Sequence, residues 1–145
     1  MKFRTLVIYV LLGVVVFGAL LGAQGAIEIR AASSTAVAGW QRVTAADGEA
    51  MWVSPTVSLR AADIATTDLR QQPDGRANVE MVFTADGAKK MQELSRAQTN
   101  QRIALMVDGT VVWAPVVRDP IGREAVLSGL SAADAERLQS TLQRK

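Results

Sequence analysis

The stretch Arg102–Leu130, RIALMVDGTVVWAPVVRDPIGREAVLSGL, restricts the fold more than any other part of the chain. Two apolar runs flank Asp108-Gly109, and a two-residue connection of type I′ needs positive φ at both central positions, which Asp and Gly tolerate. The pattern predicts a tight β-hairpin. Ile103, Leu105 and Val107 fall on one face of its first strand, Ala104 and Met106 on the other. A strand that is apolar on both faces is covered on both or lies centrally in its sheet. The second strand is expected over Thr110–Val117 and carries Pro115, which cannot donate to a ladder. Its far end therefore belongs at an edge or a bend. Arg118–Arg123 then reads as a polar loop and Glu124–Ser128 as a third strand.

Elements on either side extend this frame. Val79, Met81 and Phe83 alternate within Asn78–Thr84, a strand signal. Thr84 suits the N-cap of a helix starting at Ala85, with Asp86 near its positive end. Ala88, Met91, Leu94 and Ser95 mark one face of that helix, while Lys89, Lys90, Glu93 and Arg96 read as its solvated side. Ser131 with Asp134 opens a last helix, whose buried stripe is Ala135, Leu138 and Leu142. From Asn78 the order is strand, helix, three strands, helix. That order predicts an α+β fold with a mainly antiparallel sheet and helices on one face, in a single domain over residues 51–145.

Residues 26–50 read as an extension or linker with short strands. Ile27 and Ile29 alternate with Glu28 and Arg30, and Ala31–Gly39 has linker composition. Trp40–Val43 and Ala50–Val53 flank the turn sequence AADGE. Thr56–Leu59 suggests a short strand, Ala61–Leu69 is compatible with a helical turn, and QQPDG at 71–75 is a reverse turn. Trp40 and Trp52 are expected in packing roles.

Residues 1–25 have the three parts of a secretory signal: Lys2 and Arg4, an apolar run from Leu6 to Leu21, then small residues. The same layout fits an uncleaved signal anchor. The run would then be the chain's contact with a membrane, although sixteen helical residues reach only about 24 Å of a core about 30 Å thick. Both readings place the domain outside the cytoplasm, soluble or periplasmic after cleavage, or tethered to the inner membrane.

The chemistry is limited by what is missing. The chain has no cysteine and no histidine, which excludes disulfides, thiolate and imidazole metal sites and the commonest general base. Its charge of +2 comes from Lys2 and Arg4, so the remaining residues carry 14 charges of each sign. A neutral domain has no global field to draw it onto nucleic acid. No catalytic constellation, metal or cofactor is expected. Asp119 and Glu124 read as loop carboxylates paired with Arg118 and Arg123, and Asp108 is explained by its turn. Trp113, two residues before Pro115, is the residue with a functional signal: an aromatic on an edge strand can hold an extended peptide by strand addition. The competing reading packs it over a helix.

The ordered set Val79, Phe83-Thr84, Gly87-Ala88, Lys90, then Leu105, Val107-Asp108-Gly109, Val111, Ala114-Pro115-Val116-Val117, then Ser128-Gly129, Ser131, Ala135 and Leu138 resembles the head subdomain of the first periplasmic domain of SecD, the Sec translocase accessory protein. The likeness spans about Trp52–Leu142. It departs at Trp113, where the family usually has a small residue, and at Leu130, where it tends to have an aromatic. The resemblance implies an exported, non-enzymatic, stand-alone head-like module that binds polypeptide or a Sec translocon component and assists export. The alternative is a structural subunit of a cell-envelope assembly unrelated to translocation. Trp113, Val116, Arg118, Asp119, Ile121 and Arg123 are the candidate peptide or partner contacts. Asp108, Gly109, Ala114, Pro115, Ser128 and Gly129 form the structural motif.

Overall fold

The computed structural model describes residues 26–144, so the signal or anchor segment expected over residues 1–25 lies outside the described residues. Among the described residues, nine strands form two antiparallel sheets. The larger contains β1 (Ile27–Ser33), β2 (Gln41–Thr44), β3 (Ala50–Val53), β4 (Leu59–Arg60), β7 (Arg102–Val107) and β8 (Thr110–Trp113). Its main path runs β2-β3-β1-β7-β8, with β4 paired to β1. The smaller sheet has the order β5-β6-β9, from β5 (Ile64–Gln71), β6 (Arg76–Phe83) and β9 (Glu124–Ser131). Two helices, α1 (Ala85–Ala97) and α2 (Ala132–Gln143), complete the α+β fold.

The hairpin behaves as its sequence requires. Asp108 and Gly109 both have positive φ, 51° and 81°, between β7 and β8. Ile103 through Val107 are all buried, because each face of β7 meets a different core. Ile103, Leu105 and Val107 join the larger core together with Ile27, Ile29, Val79, Met81, Phe83 and the buried faces of both helices. Ala104 and Met106 join a smaller core with Ala32, Met51, Val53 and Val111. The larger sheet makes this second core by curling back on itself: Ala45 bridges Val111, and the Ala46 N–H donates to the Val111 carbonyl at 3.0 Å.

Four local expectations are corrected. Ala31–Ser33 is the end of β1, a strand flanked by β3 and β7, because its alternate residues are buried in two cores. The strand expected over Thr110–Val117 stops at Trp113, where the ladder shifts register and Pro115 follows. Val116 then meets only Arg102, as an isolated bridge. Ala61–Asp63 is a single 3-10 turn, but Ile64 begins an eight-residue strand. The third strand leaves the hairpin's sheet altogether, since β9 pairs with β6 and extends to Ser131.

The helix ends follow the capping rules. Thr84 Oγ1 accepts from the Gly87 N–H at 3.0 Å, and Ser131 Oγ from the Asp134 N–H at 3.1 Å. Gly87 lies so close to the 3-10 turn that a β-carbon there would stand 3.0 Å from the Asp63 carbonyl carbon and well inside contact with its oxygen. Asp63 is the hub of that junction. Its carbonyl accepts from the Thr84 N–H at 2.9 Å, and its carboxylate takes Lys90 Nζ at 2.9 Å and the Arg60 N–H at 3.0 Å. Burial pushes the Asp63 carboxyl up, yet the Lys90 hydrogen bond, the Arg60 backbone donor and the two nearby cations outweigh it and hold it below its ordinary value.

Candidate functional site

A cleft of about 630 Å³ opens where the two sheets approach. One wall comes from the curled sheet, with the β2–β3 turn at Ala45–Glu49 and the strand segment Val111–Ala114. The opposite wall comes from the smaller sheet: the β5–β6 turn at Asp74–Arg76 and the β9–α2 junction at Gly129–Ala132. Turn chemistry shapes both rims. The Asp47 carboxylate accepts from the Glu49 N–H at 2.9 Å, and that of Asp74 from the Arg76 N–H at 3.0 Å.

Two strand edges border this cleft. β9 pairs only with β6, and β8 beyond its bridge at Val111 has no further strand neighbour among the described residues. Trp113 stands at the floor between the cleft and the larger core. It is half-buried, opposite Leu105, and also borders a small apolar gap lined by Met81, Phe83, Met91 and Leu127. Trp113 thus lies on the edge strand β8 without being fully exposed, and the apolar gap beside it is lined by residues of both sheets and by Met91 of α1. The segment after it is tied down by Arg102, whose guanidinium donates to the Ala114 carbonyl at 2.7 Å.

The structure separates the six candidate contacts. Trp113 lines the cleft, while Val116, Arg118, Asp119, Ile121 and Arg123 do not. Val116 is 36% exposed, and Arg118, Asp119 and Arg123 are exposed on the connection to β9. Ile121 is the anchor of that connection: its N–H donates at 2.8 Å to the Oγ of Ser95, a fully buried α1 residue, and its side chain packs on the larger core. The ion pairs expected among Arg118, Asp119, Arg123 and Glu124 do not form among the described residues. The loop is fixed by backbone bonds instead, including Phe83 N–H to the Arg123 carbonyl at 2.9 Å. Among the motif residues, Ala114 and Gly129 line the cleft, while Asp108, Gly109, Pro115 and Ser128 shape the strands leading to it.

Sequence reasoning missed the charged rim. Asp47, Glu49, Asp74 and Asp134 line the cleft against Arg76 and Arg102. Each acidic residue has a sufficient local explanation as a turn or cap residue, so nothing in the linear order marks them as neighbours. Among the described residues there is no group of three or more His, Cys, Asp or Glu placed to hold a metal ion. No described helix is long and apolar enough to cross a membrane.

The chain is similar in sequence and in fold to known proteins. Residues 34–144 match the family model for the SecDF P1 head subdomain. The chain is 40% identical over 77 residues to the protein translocase subunit SecDF of Thermus thermophilus, covering 52% of this chain and 10% of that protein. It is 31% identical over 98 residues to the protein translocase subunit SecD of Elusimicrobium minutum, covering 66% of this chain and 21% of that one. The chain thus spans about a tenth to a fifth of the length of these relatives. A solved structure described as a membrane component SecDF that enhances protein export superposes with a TM-score of 0.62 and 25% identity, over 83% of this chain and 62% of that one. SecDF in its super-membrane-facing form gives a TM-score of 0.62 at 26% identity, over 83% of this chain and 19% of that one. With its α+β fold, its Asp-Gly hairpin and this match over most of its length, the chain belongs to the SecDF P1 head subdomain family.

Proposed function

We propose that the domain works outside the cytoplasm as a non-enzymatic module that holds polypeptide during Sec-dependent export, and that the cleft between the two sheets is where it does so. Family membership supports a role in protein export. The observation that carries the binding site is the cleft itself: it is bordered by edges of β8 and β9 and floored by Trp113. Strand edges offer backbone donors and acceptors to an extended chain whatever its sequence, and an aromatic floor adds apolar contact. Such a site suits a module that must accept many different polypeptides. The loop carrying Val116, Arg118, Asp119 and Arg123 is then a separate exposed surface, available to a translocon component.

A photo-crosslinking residue at Asp74, on the cleft rim, tests this against the same residue at Arg70, on the outer face of β5. An exported precursor stalled partway across the membrane should be captured from position 74 and not from position 70. Equal capture from both, or none from position 74, would refute the cleft as the site. Capture at position 74 of one discrete envelope protein in place of the precursor would favour a structural subunit.

A further inference from the structure

The rim of the cleft is charged asymmetrically. Asp47 and Glu49 stand on the β2–β3 turn, Asp74 on the β5–β6 turn and Asp134 at the start of α2, so the carboxylates come from both walls. The two cations of the lining are Arg76 and Arg102, and the Arg102 guanidinium donates to the Ala114 carbonyl at 2.7 Å. None of the six takes part in an ion pair among the described residues. This field acts on a recess that independently suits an extended chain, through its two strand edges and half-buried Trp113. Carboxylates concentrated in a concave site raise the local concentration of cationic groups, in a salt-dependent way.

We infer that the cleft selects among polypeptide segments by charge, taking extended segments that carry lysine or arginine in preference to neutral ones and disfavouring acidic ones. The inference rests on the cleft being a polypeptide site, and it names the class of segment that site prefers. Backbone pairing along the edges is independent of sequence, so the carboxylates supply the selectivity. The walls divide the work: Asp47 and Glu49 face the chain from the curled sheet, Asp74 and Asp134 from the smaller one. A lysine near either rim would therefore find a carboxylate without fixing the register of the segment.

The test uses the full chain in a neutral detergent and three labelled ten-residue peptides, alike except for two central positions that are Lys, Ser or Glu. Fluorescence anisotropy at about 20 mM and about 300 mM salt, on either side of effective screening, reads the affinities. The Lys peptide should bind about threefold or more tighter than the Ser peptide at low salt, and the Glu peptide correspondingly weaker, with the spread collapsing at high salt. Asp47→Asn with Glu49→Gln should shrink the spread, weakening the Lys peptide and strengthening the Glu peptide at low salt, while the introduced asparagine keeps an oxygen for the turn. Binding of all three peptides with equal affinity at low salt overturns the charge preference and leaves the polypeptide site standing. A spread untouched by the double variant assigns the preference elsewhere and overturns it too. Failure of all three to bind overturns the polypeptide site, and the preference with it.

Discussion

Replacing Gly87 by alanine should destabilise the domain, although helix propensity alone predicts the opposite. Gly87 sits in the first turn of α1, where Gly→Ala ordinarily gains about 1 kcal/mol. Here the new β-carbon would overlap the Asp63 carbonyl oxygen and stand 3.0 Å from both the Asp63 carbonyl carbon and its Cβ. Backbone cannot swing aside as a side chain can, so α1 and the 3-10 turn must move apart. Overpacking of this kind costs about 1–3 kcal/mol. The separation also stretches the Thr84 N–H to Asp63 bond at 2.9 Å and the Lys90–Asp63 pair at 2.9 Å, about 1 kcal/mol or more between them. Set against the propensity gain, the net loss is about 1–3 kcal/mol. Urea unfolding followed by circular dichroism reads it as a midpoint lowered by about 1 M at unchanged slope. Lys90→Met should then cost less in the Gly87→Ala background than in the parent, because both act through Asp63. A midpoint that stays or rises on Gly87→Ala would refute the argument, and would mean that the turn yields freely.

Three further outcomes follow from the same geometry. Ser95→Ala removes the acceptor of the Ile121 N–H in a fully buried place; it should cost about 1–3 kcal/mol in urea unfolding and speed hydrogen exchange selectively over residues 118–123. Trp113→Ala joins the cleft to the apolar gap beside Met81 and Phe83 and should cost about 2–4 kcal/mol, whereas Val116→Ser, at a position 36% exposed, should stay within about 0.5 kcal/mol, both read by the same unfolding assay. Asp63 has its folded pKa below the unfolded value of about 3.9, so its stabilising contribution is complete above about pH 5 and is lost as pH falls through the folded value. The stability difference between the parent and Asp63→Asn should therefore be flat from pH 7 to about 5 and close below about pH 4; a gap that widens with acid would contradict the sign.

Local physics was readable in the sequence wherever one residue type has a unique use. The Asp108-Gly109 turn, the caps at Thr84 and Ser131 and the two-sided burial of β7 all followed from φ preference, capping geometry and period, each confined to a few neighbouring residues. Even the division of β7 between two cores was written in it, as Ile103, Leu105 and Val107 against Ala104 and Met106. Family membership could also be read there, because it rests on an ordered set of such local features. Long-range partners could not. The alternation in β9 says that one face is buried but not against which strand, so its departure to pair with β6 was invisible. The same holds for β1, whose small alanines look like a linker until β3 and β7 flank them. The cleft was the least legible feature. Asp47 and Asp74 each accept from a nearby backbone N–H and Asp134 lies in the first turn of α2, and only the curling of one sheet against the end of the other brings these residues to a common rim. Propensity and period act within a turn or a strand, whereas a site is made by chain closure over tens of residues, which the burial of two separate cores decides.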